Sequence, residues 1–366
     1  MKFKVARLEL LEALQAVIGV VERRQTMPIL SNVLIQAEND RVKLTATDLE
    51  LEMVTQFGAA VTQPGSVTIP ARKLLDICRG LPDGADISLE QQEQRIKVSS
   101  GRSRFTLSGL AANEFPFLDD IGAGTEFDIS QKALKRLLDR TQFAMAHQDV
   151  RYYLNGLLLA VRQDQIRCVA TDGHRLAMCD VSHETGVEEL KEVIVPRKAI
   201  TELLRLLGNS DLNIRISLSD NHLQANLPDV RITTKLIDGR FPDYERVIPS
   251  AGDKLAMGDR ELVKQALSRT AILSNEKFRG VRLGFEDGKM RLQAQNPDQE
   301  EAEDELEIEY QGEPLEIGFN VNYLIDALGA MDSEQFAIEL TGSDSSGLLK
   351  EVGDDSSRYV VMPMRL

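Results

Sequence analysis

RVKLTATDLELEM, which begins at Arg41, returns as QIRCVATDGHRLAM from Gln165 and as KMRLQAQNPDQEE from Lys289. The corner Ala46-Thr47-Asp48 maps onto Ala170-Thr171-Asp172 and then onto Ala294-Gln295-Asn296, each time at a step of 124 residues. Each copy is an apolar alternation ending in polar residues, the pattern of a half-buried strand running into a turn. Two more blocks keep the same order. VTIPARKLLDICRGL from Val67 returns as VIVPRKAITELLRLL from Val193 and IGFNVNYLIDALGAM from Ile317, and EFPFLDD from Glu114 returns as RFPDYER from Arg240. A period this long is a domain-sized unit rather than a solenoid turn.

Each unit opens on an amphipathic helix, predicted over 8–21, 133–146 and 261–274. In the first, Leu10, Leu11, Leu14, Val17, Ile18 and Val21 carry the helical period. Short alternating strands follow, then a second helix and further strands. Pro70 and Pro196 stand near the first turn of two of the second helices, where a missing N–H costs nothing, and Asn320 replaces them as an N-cap in the third. Strands outnumber helices, and the turns Glu38-Asn39-Asp40, Leu81-Pro82-Asp83-Gly84 and Glu286-Asp287-Gly288 are tight. The expectation is an α+β fold of antiparallel sheets with helices on one side. Three domains are expected, at 1–122, 126–249 and 252–366, with linkers near Gly122–Thr125 and Ser250–Asp253.

The 366 residues are 42% hydrophobic and 28% charged, the composition of a globular protein of two or three domains. No apolar run approaches the roughly 18 residues of a membrane span, and MKFKVARLELLEAL lacks a signal-peptide core, so a cytoplasmic protein is expected. Cys78, Cys168 and Cys179 sit in apolar segments without metal-ligand spacing and read as reduced core thiols.

Lys and Arg number 43 against 58 Asp and Glu, a formal charge of −15. That balance opposes nucleic-acid binding unless charge is segregated to different faces. It is segregated. Asp298, Glu300, Glu301, Glu303, Asp304, Glu305, Glu307 and Glu309 crowd into one strand-like run, while cations gather on helices. Lys132, Arg136 and Arg140 share one helix face, and Lys198 and Arg205 another. Arg72, Lys73 and Arg79 decorate the second helix of the first copy, and Arg260 and Lys264 the first helix of the third. A solvated face explains any one helix. Recurrence in all three copies weakens that reading, because a shared face would make a continuous basic surface, one that touches phosphates without reading bases. His147, Gln148, Arg151, Tyr152 and Tyr153 follow one such helix, where the tyrosines either stack on unpaired bases or point to opposite faces of a strand.

Catalytic signatures are missing: no phosphate-binding glycine loop, no nucleophile elbow and no paired-histidine zinc motif. The alternative function rests on Asp172 and His174, a potential hydrolase dyad at a hairpin corner, weighed against a turn with a solvent-facing histidine. The acidic run lacks the glycine and spacing of a coordinating loop, so no metal and no cofactor are expected. It fits a charged edge strand better. The first copy offers a complementary edge in SGRSRFTLSG, with Arg102, Arg104, Phe105 and Leu107. Two chains pairing these edges head to tail would close into a ring.

The segments TMPILSN, LPDGA, GRSRFTLS, MAHQDVRYYLNG, VATDGHRLA, DGRFPDYERV, AILSNEKFRGVRL, NPDQEEAE and YVVMPMRL resemble the beta subunit of bacterial DNA polymerase III, the sliding-clamp family. The resemblance runs the length of the chain. It implies three tandem clamp domains and a head-to-tail homodimer, with helices lining the hole of a ring around duplex DNA and sheets outside. It implies a processivity factor, not an enzyme, that belongs to a complex with DNA-directed DNA polymerase activity. DNA contacts carry over to Arg24, Arg72, Gln148, Tyr152 and Tyr153, with His147 and Lys198 added. The loop VVERRQTMPIL departs from the better-known members at Glu22 and Arg23, with Arg24 in register. The dimer interface carries over to Lys73, Arg102, Arg104, Phe105 and Leu107 on one side. On the other side it falls on Ile272, Leu273, Glu300, Glu301, Glu303 and Asp304, the last a shortened form of the usual glutamate.

A partner pocket is implied at Leu154, Thr171, Gly173, His174, Arg175, Leu176, Pro242, Arg246, Val247, Val360, Val361, Met362, Pro363, Met364, Arg365 and Leu366. It would take short hydrophobic peptides from the replicative polymerase alpha subunit, the clamp loader, other polymerases and repair proteins. Independently, VVMPMRL places apolar residues at a terminus that ordinarily frays, and methionine suits a pocket with several partners.

Overall fold

The computed structural model describes every residue except 23–26, 120, 123, 251 and 366. Among the described residues the α-helices are α1 (Arg7–Val17), α2 (Ala71–Gly80), α3 (Gln131–Asp139), α4 (Arg197–Leu206), α5 (Arg260–Thr270) and α6 (Val321–Gly329). In α1 the residues at helical spacing, Leu10, Leu11, Leu14 and Val17, are buried, each worth about 1.5–3 kcal/mol for a fully buried aliphatic side chain. Asp259 caps α5 by accepting from Leu262 N–H at 2.8 Å, and Asn320 caps α6 by accepting from Asn322 N–H at 3.0 Å.

The first helix of each copy ends earlier than its periodicity predicts. The chain tightens into 3-10 turns at Ile18–Val20, Gln142–Ala144 and Ala271–Leu273. In the second and third copies a threonine at the helix end bonds back one turn, Thr141 Oγ1 to the Leu137 carbonyl at 2.6 Å and Thr270 Oγ1 to the Ala266 carbonyl at 2.9 Å. Such back-bonding competes with the helical ladder and favours the tighter turn. The hairpin turns behave as their residues require. Asn39 (φ 49°), Asp40 (φ 55°), Asp287 (φ 45°) and Gly288 (φ 75°) occupy the left-handed region that two-residue turns between twisted strands demand.

The chain divides into two compact units, Met1–Lys132 with Thr201–Leu236, and Ala133–Ile200 with Ile237–Leu366. The central repeat is therefore shared between them. In the first unit, strand Val230–Lys235 of the central copy pairs antiparallel with strand Leu51–Gly58 of the first, making one eight-stranded sheet beside a five-stranded one. In the second unit, strand Arg175–Ser182 of the central copy pairs antiparallel with Asp354–Val361 of the third, making a nine-stranded sheet beside a four-stranded one. Helix α1 packs on α2, and α5 on α6. Tyr359, Phe3, Phe285 and Phe319 are among the largest fully buried side chains. Cys78, Cys168 and Cys179 are free and buried. No described helix is long and apolar enough to cross a membrane, and no described group of His, Cys, Asp and Glu could hold a metal ion.

Candidate functional site

At the junction sheet of the second unit, several of the residues expected to form a partner pocket come together. The turn from Thr171 to Arg175 is locked by its own polar residues. Thr171 Oγ1 donates to the Arg175 carbonyl at 2.6 Å, and Asp172 Oδ1 accepts from the backbone N–H groups of His174 at 2.9 Å and Arg175 at 3.0 Å. Gly173 supplies the left-handed residue the turn needs, with φ at 89°. Leu176 and Val360, opposite one another across the junction, join Leu158, Val169, Phe241 and Tyr244 in one buried cluster. Leu154 and Val361 are also buried, whereas Pro242, Arg246, Val247, His174 and Met362 are exposed around them. Through Met364 the C-terminal segment is tied to the fold. Met362 N–H donates to the His174 carbonyl at 2.9 Å and Met364 N–H to the Gly318 carbonyl at 2.7 Å, so Met362, Pro363 and Met364 form a fixed wall, with Arg365 exposed beyond it. Leu366 lies outside the described residues.

Arg175 braces the Thr171–Arg175 turn. Its guanidinium donates to Asp172 at 3.1 Å, Asp326 at 2.6 Å and the Phe143 carbonyl at 2.7 Å. It also lies over the rings of Phe143 and Tyr323, with its central carbon 5.3 and 4.5 Å from the centroids. That is a cation held by two carboxylates and two π-faces. Burial pushes the Tyr323 hydroxyl above its ordinary pKa. Tyr323 and Asp326 escaped the sequence reading: Tyr323 has no counterpart in Lys73 or Ala199, and Asp326, though it repeats the acid of Asp76 and Glu202, meets its partner Arg175 across 151 residues of chain.

The segment after α3 is clipped into shape. Asp149 N–H donates to Asn155 Oδ1 at 2.8 Å and Asn155 Nδ2 donates back to the Asp149 carbonyl at 2.9 Å. Arg151 grips the Asp149 carboxylate at 2.9 and 3.0 Å, holding its pKa down at about 2. His147, Gln148 and Tyr152 are exposed, Tyr152 by 58%. Tyr152 and Tyr153 lie in a 3-10 turn, Tyr152–Leu154, not in a strand, so they do not point to opposite sheet faces. Their rings meet edge to face at 5.8 Å, and Tyr153 packs on the buried cluster of Leu176 and Val360. Lys198 is half-buried on α4. In the first unit Arg72 is exposed on α2 and donates to the Val21 carbonyl at 2.6 Å. Arg24 lies outside the described residues.

Two expectations are overturned. The cations of α3 do not form a free stripe: Arg140 is only 3% exposed and pairs with Glu351 and, at 2.7 Å, with Asp332, while Arg136 pairs with Asp354. Helical periodicity defines a face, and here a second element covers it. The Asp172–His174 dyad is not assembled either, because the Asp172 carboxylate is spent on backbone N–H groups and on Arg175.

The two acidic and basic runs occupy sheet edges. Strand Ser103–Ser108 ends the five-stranded sheet, and Glu301–Glu307 ends the four-stranded one. Their partners in the other copies are already joined, and in one register. Across the first junction Arg231 faces Val54, Ile232 faces Met53, Thr233 faces Glu52 and Thr234 faces Leu51. Across the second, Arg358 faces Met178, Tyr359 faces Ala177, Val360 faces Leu176 and Val361 faces Arg175. Arg104 holds the place of Arg231 and Arg358 in its hairpin, opposite Ser99 as they stand opposite Asn226 and Lys350. Glu301 holds the place of Glu52 and Leu176, opposite Gln295 as they stand opposite Thr47 and Thr171. Lys73, Arg102, Arg104 and Phe105 are exposed, with Leu107 half-buried; Glu300, Glu301, Glu303 and Ile272 are exposed, Ile272 by 75%, with Leu273 half-buried. Asp304 pairs with Arg269 of its own chain at 2.7 Å.

Profiles of the DNA polymerase III beta subunit match the chain along its length: the N-terminal domain over residues 1–119, the central domain over 128–243 and the C-terminal domain over 245–365. A beta sliding clamp from Pseudomonas putida is 52% identical, with all of both chains covered. A crystal structure of the DNA polymerase III subunit beta from Pseudomonas aeruginosa superposes with a TM-score of 0.96 at 52% identity, again over 100% of both chains. A sliding clamp from the same organism bound to griselimycin matches equally well, at 0.96 and 53% over all of both chains. These relatives leave no support for a hydrolase. The chain belongs to the DNA polymerase III beta subunit family, the beta sliding clamps.

Proposed function

We infer that this chain is the processivity factor of bacterial DNA replication, a non-catalytic cytoplasmic clamp whose two copies close head to tail around duplex DNA. The observation that carries this reading is the repeated junction register. Applied a third time, between two chains, it sets Arg104 against Glu303, Phe105 against Ala302, Thr106 against Glu301 and Leu107 against Glu300. Opposite charges facing across strands contribute about 0.2–1 kcal/mol a pair. The same equivalence puts Ile272 beside Phe105, as Phe143 lies beside Tyr359 at 5.9 Å, and Lys73 beside Glu300, as Tyr323 lies over Arg175. Every sheet edge at the three junctions is then paired.

DNA contact falls to Arg24, Arg72, His147, Gln148, Tyr152, Tyr153 and Lys198, through phosphate and stacking contacts that read no sequence. The cleft around Leu176, Val247, Val360 and Met362 takes short hydrophobic peptides from the polymerase alpha subunit, the clamp loader, other polymerases and repair proteins. The relative crystallised with griselimycin supports a ligand-binding surface on this fold. Tethering a polymerase to a ring raises its local concentration at the primer end, without new chemistry.

The test is retention on DNA after loading with clamp loader and ATP. Clamp retained on nicked circular DNA and lost when that DNA is linearised supports a topological link. Equal retention on both would overturn it.

A further inference from the structure

The two internal junctions share a register but not their filling. In the second unit Arg140 and Arg136 reach across the junction, Arg140 to Asp332 and Glu351, Arg136 to Asp354 and, at 2.9 Å, to Ser356 Oγ. In the first unit the same positions are Ala16 and Glu12 on α1. Their opposite numbers change as well: Gly208 stands where Asp332 stands, Leu227 where Glu351 stands, and Asp229 where Ser356 stands. Two arginine side chains and the carboxylates that held the inner one are thus gone.

What remains is an open groove of about 530 Å³, lined by Glu9, Glu12, Ala13 and Ala16 on one side and by Leu227 and Asp229 on the other. Glu9, Glu12 and Asp229 have no ion-pair partner among the described residues, although Glu12 sits where the twin junction has a cation. Arg205 does not fill the space. Its guanidinium pairs with Glu202 and donates to the carbonyls of Gln15 at 2.9 Å and Ala16 at 2.5 Å.

We propose that this groove binds a free small alkylguanidinium, whose stem lies along Ala13, Ala16 and Leu227 and whose cationic head bridges Glu12 and Asp229. The ligand takes from solution the group that Arg136 and Arg140 supply within the chain at the other junction. Planar guanidinium suits a pair of carboxylates better than an ammonium does, because its donors form a rigid fork. The head group stays near solvent, which keeps the desolvation cost small and the affinity modest.

The experiment is an agmatine titration of the full-length protein followed by methyl NMR, with Ala13 and Ala16 as reporters. Saturable shifts at both methyls are expected. Glu12→Gln, on an exposed helix face, should weaken binding about tenfold, the size of one charge-assisted hydrogen bond. Ala16→Arg should fill the groove and abolish the shifts. If Ala16→Arg fails to fold, loss of binding in the Glu12→Gln, Asp229→Asn double variant carries the same information. No saturable shift in the native protein would overturn the proposal, as would equal binding of the neutral isostere pentylurea. Binding of a blocked arginine dipeptide but not of agmatine would also overturn it, by assigning the groove to a protein side chain.

Discussion

Arg175 Nη1 donates to Asp326 Oδ2 at 2.6 Å, fastening the turn of the central repeat to helix α6 of the third. The same guanidinium is stacked against Tyr323 from α6 and Phe143 from the segment after α3. One cation therefore ties the turn of the central repeat both to α6 and to the segment after α3.

Replacing Asp326 with alanine should cost about 1–3 kcal/mol, because Arg175 stays largely buried with one carboxylate fewer. Urea unfolding reads the stability and fluorescence anisotropy the affinity for a hydrophobic clamp-binding peptide, which is expected to fall several-fold. An unshifted urea midpoint would mean that solvent screens the pair.

Removing residues 362–366 should abolish peptide binding and leave the dimer intact. Met362 and Met364 are held by the carbonyls of His174 and Gly318, and Gly318 lies on strand Leu315–Asn320, at the opposite edge of the four-stranded sheet from Glu301–Glu307. Peptide titration and sedimentation separate the two effects. Peptide affinity within twofold of the full chain would remove the tail from the cleft.

Alanine at both Ile272 and Leu273 should release monomers at micromolar concentration, since Ile272 exposes a large apolar surface in the single chain. The charge reversal Arg104→Glu should do the same, and adding Glu303→Arg to it should restore the dimer. Sedimentation velocity decides. Failure of the second reversal to rescue would show that the two edges meet in a different register.

Asp149 should titrate near 2, because Arg151 holds its carboxylate below the ordinary value of 3.8. A depressed folded pKa makes a contribution that is complete above the unfolded pKa and is lost as pH falls through the folded one. The clip around 147–151 is therefore expected to hold from neutral pH down to about 4 and to open as pH approaches 2. Carbon-detected NMR of the Asp149 carboxyl gives the midpoint. Arg151→Ala should move it back toward 3.8.

The repeat, the α+β class and the charged edge strands were legible because each is written in local alternation. EAEDELE reads as an edge strand without knowledge of its neighbours, and Asn39-Asp40 as a turn from φ preference alone. The brace of the Thr171–Arg175 turn was not legible. Arg175 meets Asp326 across 151 residues of chain, and nothing in the period of α6 says which of its faces a distant turn will meet. Arg136 and Arg140 mark the limit most clearly. Spacing puts them on one helix face, and only packing determines whether that face meets water or a strand, here Asp354–Val361 with Glu351 beside it. The threefold pattern and the sign of each edge were thus decided by the sequence alone, through side-chain alternation and charge. Which copies join, in what register, and which cations remain free were decided by tertiary structure, because those depend on surfaces brought together from distant parts of the chain.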